Sequence, residues 1–304
     1  MMLALVSQPH GAAQLEELPI PDSCDQLLVR VELVGVCKTD VAAARGEMSV
    51  SPHRVLGHEA VGCVASAPAG SAFETGARIA IIPWLHCGTC DSCFASQPER
   101  CEAAEFIGID RAGAFSEYMV VPERSVVAIP DGLDWATAAL LEPVTAARAV
   151  LKPLAGKTGR VGIHATGRFQ TLLKLALEGE TTSLHFEQWR PATRYDLVID
   201  AEGTAASLES SVESVRPGGT ILVKSRPSAP VPFPLRRAVQ KEITLLGANY
   251  ASFPETMAWI AERQADLACL IGDTFPLRDY ESAFDVDEPA TKTFLRPGSG
   301  SCAD

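Results

Sequence analysis

Four cysteines lie within one short segment of the chain and dictate its local structure. Cys87, Cys90, Cys93 and Cys101 follow the pattern C-x2-C-x2-C-x7-C. Four thiolates in this arrangement suit one tetrahedral, structural Zn²⁺ ion. The nearest alternative is an iron–sulfur cluster, whose cysteine run has a shorter last gap and a proline after the fourth cysteine. Because Glu102 follows Cys101 here, the spacing predicts a structural zinc lobe over residues 84–103.

The overall charge excludes several classes of partner. The 304 residues carry a net charge of −12, and 47% of them are hydrophobic. Non-specific binding to nucleic acid or to an anionic membrane requires basic patches, so neither partner is expected. No apolar run approaches the roughly 20 residues of a membrane-spanning helix. The metal-type cysteine spacing, the odd count of 9 cysteines and the lack of a recognisable export signal predict a cytoplasmic protein.

The hydrophobic pattern changes twice along the chain, which indicates two domains. Residues 1–142 contain short runs of strand-forming residues separated by Gly, Pro and Asp. Strands then alternate with helical segments, which favours a parallel sheet with helical crossovers. The last segment returns to strands. We therefore predict a β-rich domain from residues 1–142 and 275–304, and an inserted α/β domain from residues 143–274.

A second set of candidate metal ligands precedes the cysteine segment. Cys37 follows a predicted strand, and His58 and Glu59 are adjacent in the sequence LGHEAVG. Thiolate, imidazole and carboxylate are ligand types of a catalytic Zn²⁺ ion that keeps one exchangeable position. Each residue alone is a weak signal, because a single buried cysteine usually acts as a small hydrophobe. The order of the motifs strengthens the interpretation, since the cysteine lobe, a Glu-Pro pair and an α/β unit follow in turn.

These motifs resemble those of the zinc-dependent medium-chain dehydrogenase/reductases, the group of alcohol, polyol and threonine dehydrogenases. The matching segments are GVCKTD (35–40), GHEAVG (57–62), the 87–101 cysteines, GAFSEY (113–118), LEPVTA (141–146), DAEG (200–203) and RPGGT (216–220). The resemblance implies a GroES-like catalytic domain, a Rossmann-type domain and an active site in the cleft between them. It also implies hydride transfer between a nicotinamide cofactor and a small alcohol or carbonyl substrate, with catalytic zinc beside the structural zinc.

The resemblance gives roles to five residues of the catalytic domain. Cys37, His58 and Glu59 would surround the catalytic zinc ion, and Glu142 would be a carboxylate that ligates the metal or exchanges with water. Thr39 would pass on the proton of the alcohol, and its alternative role is a hydrogen bond in a turn. The aspartate that follows Thr39 is interpreted as a structural hydrogen-bond anchor.

The dinucleotide-binding fingerprint departs from the usual G-x-G-x-x-G pattern. After the strand predicted over residues 160–165, residues 165–170 read ATGRFQ. Only the middle glycine remains, the one that lets the backbone approach a pyrophosphate. Thr166, Gly167 and Arg168, at a helix N-terminus, are the candidate cofactor-binding residues. The alternative interpretation is a plain helix start with an exposed arginine.

The segment after the fingerprint is too short for a complete Rossmann unit. A strand predicted over residues 180–186 is followed by only the eight residues 187–194 before the next strand. Since a βαβ crossover needs at least about 10–12 residues, the helix and strand that usually follow residue 186 are predicted to be missing. These elements flank the adenosine of the cofactor, so the degenerate motif puts the binding of NAD(H) or NADP(H) in question.

Three functions fit this pattern. The first is a zinc-dependent oxidoreductase that binds NAD(H) or NADP(H) weakly or in an altered pose. The second is a zinc enzyme that has lost nucleotide binding and catalyses water activation, elimination, isomerisation or cyclisation. The third is a catalytically silent scaffold. The intact ligand set favours an enzyme, because a buried cluster of two carboxylates and a thiolate is costly to maintain without a function.

A late strand-forming run predicts self-association. Residues 239–250 read VQKEITLLGANY. The related enzymes pair such a strand with its copy across a two-fold axis, which predicts a homodimer or homotetramer. The alternative is an edge strand kept soluble by its Lys and Glu residues.

Overall fold

The structure is a computed structural model that describes residues 1–9, 12–180, 182–227, 229–286 and 290–298. Its strands are β1 (Met2–Val6), β2 (Gln14–Leu18), β3 (Leu27–Gly35), β4 (Glu59–Ser66), β5 (Arg78–Ile81), β6 (Trp84–Leu85), β7 (Glu105–Phe106), β8 (Tyr118–Val121), β9 (Val126–Ala128), β10 (Gly159–His164), β11 (Leu184–Gln188), β12 (Tyr195–Asp200), β13 (Val215–Val223), β14 (Thr244–Gly247), β15 (Ile271–Pro276) and β16 (Lys292–Arg296).

The α-helices are short, and most of them connect strands. They are α1 (Lys38–Ala44), α2 (Asp91–Phe94), α3 (Trp135–Ala138), α4 (Leu141–Arg148), α5 (Leu151–Leu154), α6 (Gly167–Leu177), α7 (Ala205–Ser214), α8 (Leu235–Gln240), α9 (Phe253–Glu262), α10 (Gln264–Leu267) and α11 (Tyr280–Phe284). Single 3₁₀ turns cover Pro98–Arg100, Glu123–Ser125, Ala268–Leu270 and Leu277–Asp279. Among the described residues, no helix combines the length and the apolar character that crossing a bilayer would require.

The chain folds into two compact units. The first contains residues 1–142 and 253–304, and the second contains residues 143–252. The prediction placed the second boundary at 274/275, and the structure moves it to 252/253. The physical reason is that α9 contacts α3 and β9 of the first unit. The amphipathic pattern of such a helix predicts that one face is buried, but it does not say against which domain.

The first unit is a GroES-like β-domain centred on the long strand β3. Its seven-stranded sheet has the order β15-β16-β3-β4-β5-β9, with β8 also paired to β3. The sequence LLVRVELVG is rich in β-branched and aliphatic residues, and its side chains are mostly buried. Strands β3 and β4 are antiparallel, and Gly35 at the end of β3 lies opposite Glu59 at the start of β4. This register brings the segment after β3 next to the segment before β4.

The second unit is a Rossmann-type parallel sheet with the order β11-β10-β12-β13-β14. Every neighbouring pair in it is parallel. Its central strands carry continuous apolar runs, such as residues 197–199 of β12, because helices cover parallel sheets on both faces. The chain passes from β11 to β12 through residues 189–194, all of them described, without forming a helix or strand. Strand β11 is therefore an edge of this sheet, whereas a complete dinucleotide-binding sheet carries a further strand outside it.

Candidate metal centres and cofactor cradle

The four cysteines of the predicted zinc lobe converge on one point. Their sulfur atoms all lie within 4.8 Å of one another. Cys90 Sγ lies 3.5 Å from Cys93 Sγ and 3.9 Å from Cys101 Sγ, and Cys87 Sγ lies 3.9 Å from Cys93 Sγ. Four sulfurs at about 2.3 Å from a tetrahedral zinc ion are about 3.8 Å apart. The spacing of the thiols therefore fits a single Zn²⁺ ion bound by all four.

Short local elements hold this lobe together. Strands β6 and β7 pair on either side of it, and α2 begins directly after Cys90. The Trp84 Nε1–H group donates to the Pro98 carbonyl oxygen at 2.9 Å, which links the start of the lobe to the segment before Cys101. The backbone N–H and the hydroxyl of Thr89 donate to Cys87 Sγ at 3.4 and 3.6 Å. These donors lower the pKa of the Cys87 thiol to about 6, so a thiolate is available at neutral pH.

The second predicted set, Cys37, His58 and Glu59, also comes together. Their ligand atoms lie within 4.8 Å of one another. His58 and Glu59 are each 2% exposed, whereas Cys37 is half-buried. The antiparallel register of β3 and β4 explains the meeting, because Cys37 follows β3 and His58 directly precedes β4. The side chains come from residues far apart in sequence and are positioned by rigid sheet strands.

The other two predicted catalytic residues occupy different positions. Thr39 is half-buried in the first turn of α1, two residues after Cys37. Glu142 lies in the first turn of α4 and is 6% exposed. Its carboxylate is outside the group of mutually close ligand atoms formed by Cys37, His58 and Glu59.

Asp40 holds two members of the second cluster with one carboxylate. Its Oδ1 atom lies 2.9 Å from His58 Nδ1, and its Oδ2 atom accepts a hydrogen bond from the Cys37 backbone N–H at 3.1 Å. Asp40 is 1% exposed, so these bonds form in a dry environment. A histidine that donates Nδ1–H to a carboxylate presents Nε2 as the metal-binding atom. Asp40 thus fixes the orientation of the imidazole and the start of α1 together.

The carboxylate of Asp40 also controls the charge of His58. Burial by itself lowers the pKa of an imidazole. The charge of Asp40 and its hydrogen bond, with a smaller contribution from Cys37, outweigh that effect and hold the pKa of His58 well above its ordinary value. A metal ion binds only neutral imidazole, so binding here must displace a proton.

A buried lysine completes this cluster. Lys292 of β16 forms an ion pair with Glu59, and both side chains are 1% exposed. Gly35 lies between them on β3, where a methyl group would be 2.5 Å from both Glu59 Oε2 and Lys292 Cε. Glycine therefore makes room for the pair. Sequence reasoning missed Lys292, because the segment ATKTFLRP gives no sign that this lysine is buried.

The donor set of this cluster fits a catalytic zinc ion. Thiolate, imidazole and carboxylate are all zinc ligands, and three protein ligands leave the fourth position of a tetrahedral site open for exchange. The ring of Phe106, from β7 beside the cysteine lobe, packs 5.1 Å from the His58 ring. Apolar packing of this kind excludes water and strengthens electrostatic interactions at the metal.

The predicted cofactor residues form a cradle at the start of α6. Gly167 has a φ of +56°, and a methyl group there would meet none of the residues that the structure describes within 4 Å, so among them the space in front of it is open. Thr166 is the N-cap residue, and its hydroxyl donates to Glu202 at 2.7 Å. Arg168 is half-buried in the first turn. The N-terminus of an 11-residue helix beside open space suits an anionic group such as a pyrophosphate.

Both units are similar to parts of known dehydrogenases. The family model "Alcohol dehydrogenase GroES-like domain" matches residues 23–131, and the model "Zinc-binding dehydrogenase" matches residues 181–263. The chain is 26% identical to sorbitol dehydrogenase from Bacillus subtilis, with 93% of each chain covered. It is 28% identical to L-galactonate-5-dehydrogenase from Escherichia coli, with 88% of each chain covered.

A solved structure has the same fold over nearly the whole length. It is a crystal structure from Sinorhizobium meliloti, assigned as a zinc-binding dehydrogenase and bound to NADP. The TM-score is 0.83 at 25% sequence identity, and the match covers 98% of this chain and 99% of that chain. The similarity extends through the parallel sheet as well as the β-domain.

Proposed function

Because the chain belongs to the zinc-dependent medium-chain dehydrogenase/reductase family, we propose that it transfers hydride between a nicotinamide cofactor and a small alcohol or carbonyl compound. The observation that carries this proposal is the buried cluster of Cys37, His58 and Glu59, whose ligand atoms lie within 4.8 Å of one another. Zinc bound there supplies Lewis acidity, which lowers the pKa of a bound alcohol and polarises a carbonyl.

The residues around the cluster have distinct tasks in this reaction. Cys37 and His58 would hold the metal, and Asp40 keeps the imidazole in the orientation that presents Nε2. Glu59 adds a negative charge that Lys292 balances. Thr39, half-buried in the first turn of α1, is proposed to relay the proton of the alcohol: its hydroxyl accepts that proton as it donates its own to water. Glu142 is proposed as the carboxylate that exchanges with water at the open metal position.

The relatives favour the redox hypothesis and suggest the substrate class. Both curated relatives are dehydrogenases, whereas the non-redox hypothesis has no support among them. Their names refer to a sugar alcohol and a sugar acid. We extend this to the present chain as a secondary hydroxyl group of a small polyhydroxylated compound.

A nicotinamide cofactor fits the second unit. The S. meliloti protein with the same fold is bound to NADP, so the comparisons give no support to the expectation of weakened cofactor binding. Thr166, Gly167 and Arg168 are proposed to face the pyrophosphate at the start of α6. The open space in front of Gly167 supports this placement.

We propose that the protein is a dimer and that it works in the cytoplasm. Strand β14 is an edge of the parallel sheet. Leu245 on this strand and Leu235 and Val239 on α8 are 52%, 65% and 67% exposed. An edge strand flanked by exposed apolar side chains supports pairing with a second copy. The metal-type spacing of the four lobe cysteines supports a cytoplasmic location.

The experiment that tests this function is an oxidation assay with zinc-loaded protein. Sorbitol, galactonate and short secondary alcohols are offered with NAD⁺ or NADP⁺, and formation of the reduced nicotinamide is followed by absorbance. We expect activity with at least one polyol, its loss in His58→Ala, and its retention in Cys269→Ser, which changes an exposed thiol. No cofactor reduction with any alcohol, in protein whose zinc sites are filled, would refute the redox function.

A further inference from the structure

We infer that the adenosine end of the cofactor site is built for a 2′-phosphate, so that the protein binds NADP(H) more tightly than NAD(H). This inference rests on the proposed function, and it assigns roles to Gln188 and Arg190. In a Rossmann unit, the strand after the fingerprint ends in an acidic residue that binds the ribose hydroxyls of NAD, whereas an arginine nearby accommodates the 2′-phosphate of NADP. The identity of the side chains at this strand end therefore decides which cofactor is accepted.

The strand in question is β11, and its last residue is Gln188. Strand β11 is parallel to β10, and Gln188 lies opposite Ile163 in the register. The fingerprint segment begins at Ala165, two residues after Ile163. Because carboxyl ends of parallel strands meet at the same edge of a sheet, Gln188 occupies the ribose-recognition position.

The one carboxylate of β11 is directed elsewhere. Glu187 forms an ion pair with Arg160, whose Nη2 atom lies 3.2 Å from Glu187 Oε2. Successive side chains of a strand point to opposite faces of the sheet, so Glu187 and Gln188 lie on different faces. Glu187 is thus held against β10 by an arginine that follows Gly159, at the far end of that strand from the fingerprint.

An uncharged cluster fixes Gln188 in place. Gln188 Nε2 donates to the Ala165 carbonyl oxygen at 3.3 Å, and Gln170 Nε2 donates to the same oxygen at 2.8 Å. Gln170 Nε2 also donates to the side-chain oxygen of Gln188. Gln170 and Gln188 are therefore bonded to each other and, through one backbone carbonyl, to the first residue of the fingerprint segment. A carboxylate here would repel a phosphate, whereas amides do not.

Positive charge follows the strand end. Arg190, two residues after Gln188, has an exposed side chain, and its backbone N–H donates to the Tyr195 hydroxyl at 2.9 Å. This bond fixes the backbone from which the guanidinium extends. Arg190 thus lies just beyond the end of the edge strand β11, with its side chain exposed. A guanidinium group binds phosphate through two parallel hydrogen bonds, which favours the 2′-phosphate over a ribose hydroxyl.

The test measures binding, independently of turnover. The affinities of zinc-loaded protein for NADP⁺ and NAD⁺ are determined by calorimetry, and 2′,5′-ADP and 5′-AMP are used as probes of the adenosine end alone. We expect NADP⁺ and 2′,5′-ADP to bind about tenfold more tightly than their counterparts, since one charge-assisted contact accounts for such a ratio. Tighter or equal binding of NAD⁺ overturns the inference but leaves the proposed function intact. Binding of neither cofactor at millimolar concentration overturns the proposed function itself.

Four variants distinguish the effect of charge on cofactor affinity from the effect of lost hydrogen bonds. Gln188→Glu introduces the carboxylate and is expected to weaken NADP⁺ binding about tenfold while NAD⁺ binding is kept. Gln188→Leu breaks the same hydrogen bonds without adding charge and should keep the preference for NADP⁺. Arg190→Ala should lower NADP⁺ affinity alone. The matched control is Arg194→Ala, because that nearby arginine donates to the Glu213 carbonyl oxygen and should not affect either cofactor. An unchanged cofactor ratio in both Gln188→Glu and Arg190→Ala would overturn the inference.

Discussion

At the scale of single residues, the arrangement around His58 depends on one buried carboxylate. Asp40 accepts hydrogen bonds from the imidazole and from the Cys37 backbone N–H. An asparagine in its place keeps one accepting oxygen but turns an NH₂ group toward one of the two donors. The metal ligands would then be oriented less strictly.

Asp40→Asn is therefore expected to weaken zinc binding at the Cys37–His58–Glu59 cluster about 10–100-fold, the usual effect of losing a partner of a metal-binding histidine. The affinity is measured by competition with a chromophoric chelator. Asp285→Asn is the control, because Asp285 is exposed and pairs with Arg45 at the surface. Equal zinc affinity in Asp40→Asn and the wild type would contradict the assigned role.

The ion pair between Glu59 and Lys292 gives a second prediction at this scale. Removing one partner of a buried pair leaves an uncompensated charge, so Lys292→Met should lower the free energy of unfolding by about 3–5 kcal/mol. The double variant Glu59→Gln/Lys292→Met should recover most of that loss, because neither position then carries a charge. Urea denaturation of the zinc-free proteins measures both effects. A single variant as stable as the wild type would show that the pair contributes nothing to folding.

At the scale of elements, the neighbouring strands β16, β3 and β4 position both the core packing and the ligand cluster. At position 35, only glycine fits between Glu59 and Lys292 without displacing them. The methyl group of an alanine there would lie 2.5 Å from Glu59 Oε2 and from Lys292 Cε. Gly35→Ala is expected to destabilise the protein by about 1–3 kcal/mol, as overpacking does. The control is Gly298→Ala, whose methyl group would come no closer than 3.7 Å to Glu117, the nearest of the described residues. Thermal unfolding compares the two, and equal melting temperatures would contradict the close contact.

The cysteine lobe is a second element with a measurable role. Its conformation depends on the metal, since short turns and one four-residue helix provide little packing of their own. Cys93→Ser should lose the lobe zinc and lower the melting temperature, whereas Cys269→Ser, at an exposed thiol, should change neither. Retention of the lobe zinc in Cys93→Ser would mean that three cysteines are sufficient.

The elements also show what the sequence could predict. The short-range cysteine spacing predicted the lobe cluster, and the pattern of strand-forming and helical segments predicted the β-domain and the parallel sheet. The order of the motifs predicted the second ligand set, Cys37, His58 and Glu59. The burial of Lys292 and the docking of Phe253–Glu262 on the first unit were missed. Both depend on contacts between segments distant in sequence, and a polar strand end or an amphipathic helix does not reveal its partner. The bonding of Gln170 to Gln188 was missed for the same reason.

At the scale of the whole molecule, the exposed apolar residues of β14 and α8 bear on assembly. Leu245→Asp places a charge in the middle of the proposed strand pairing and should convert the dimer to a monomer. Size-exclusion chromatography with light scattering gives the mass directly. Phe94→Asp is the control, because Phe94 is 75% exposed in the other unit. A monomeric wild type would contradict this interface.

The proposed activity of the whole molecule requires a second metal centre that is separate from the cysteine lobe. Its most direct test is the number of zinc ions per chain, measured by mass spectrometry of the wild type and of Cys37→Ser. Since two ligand clusters are present, we predict two zinc ions in the wild type and one in Cys37→Ser, with the remaining ion held by the four-cysteine lobe. A wild type with a single zinc ion, retained in full by Cys37→Ser, would contradict the catalytic metal site and the oxidoreductase function built on it.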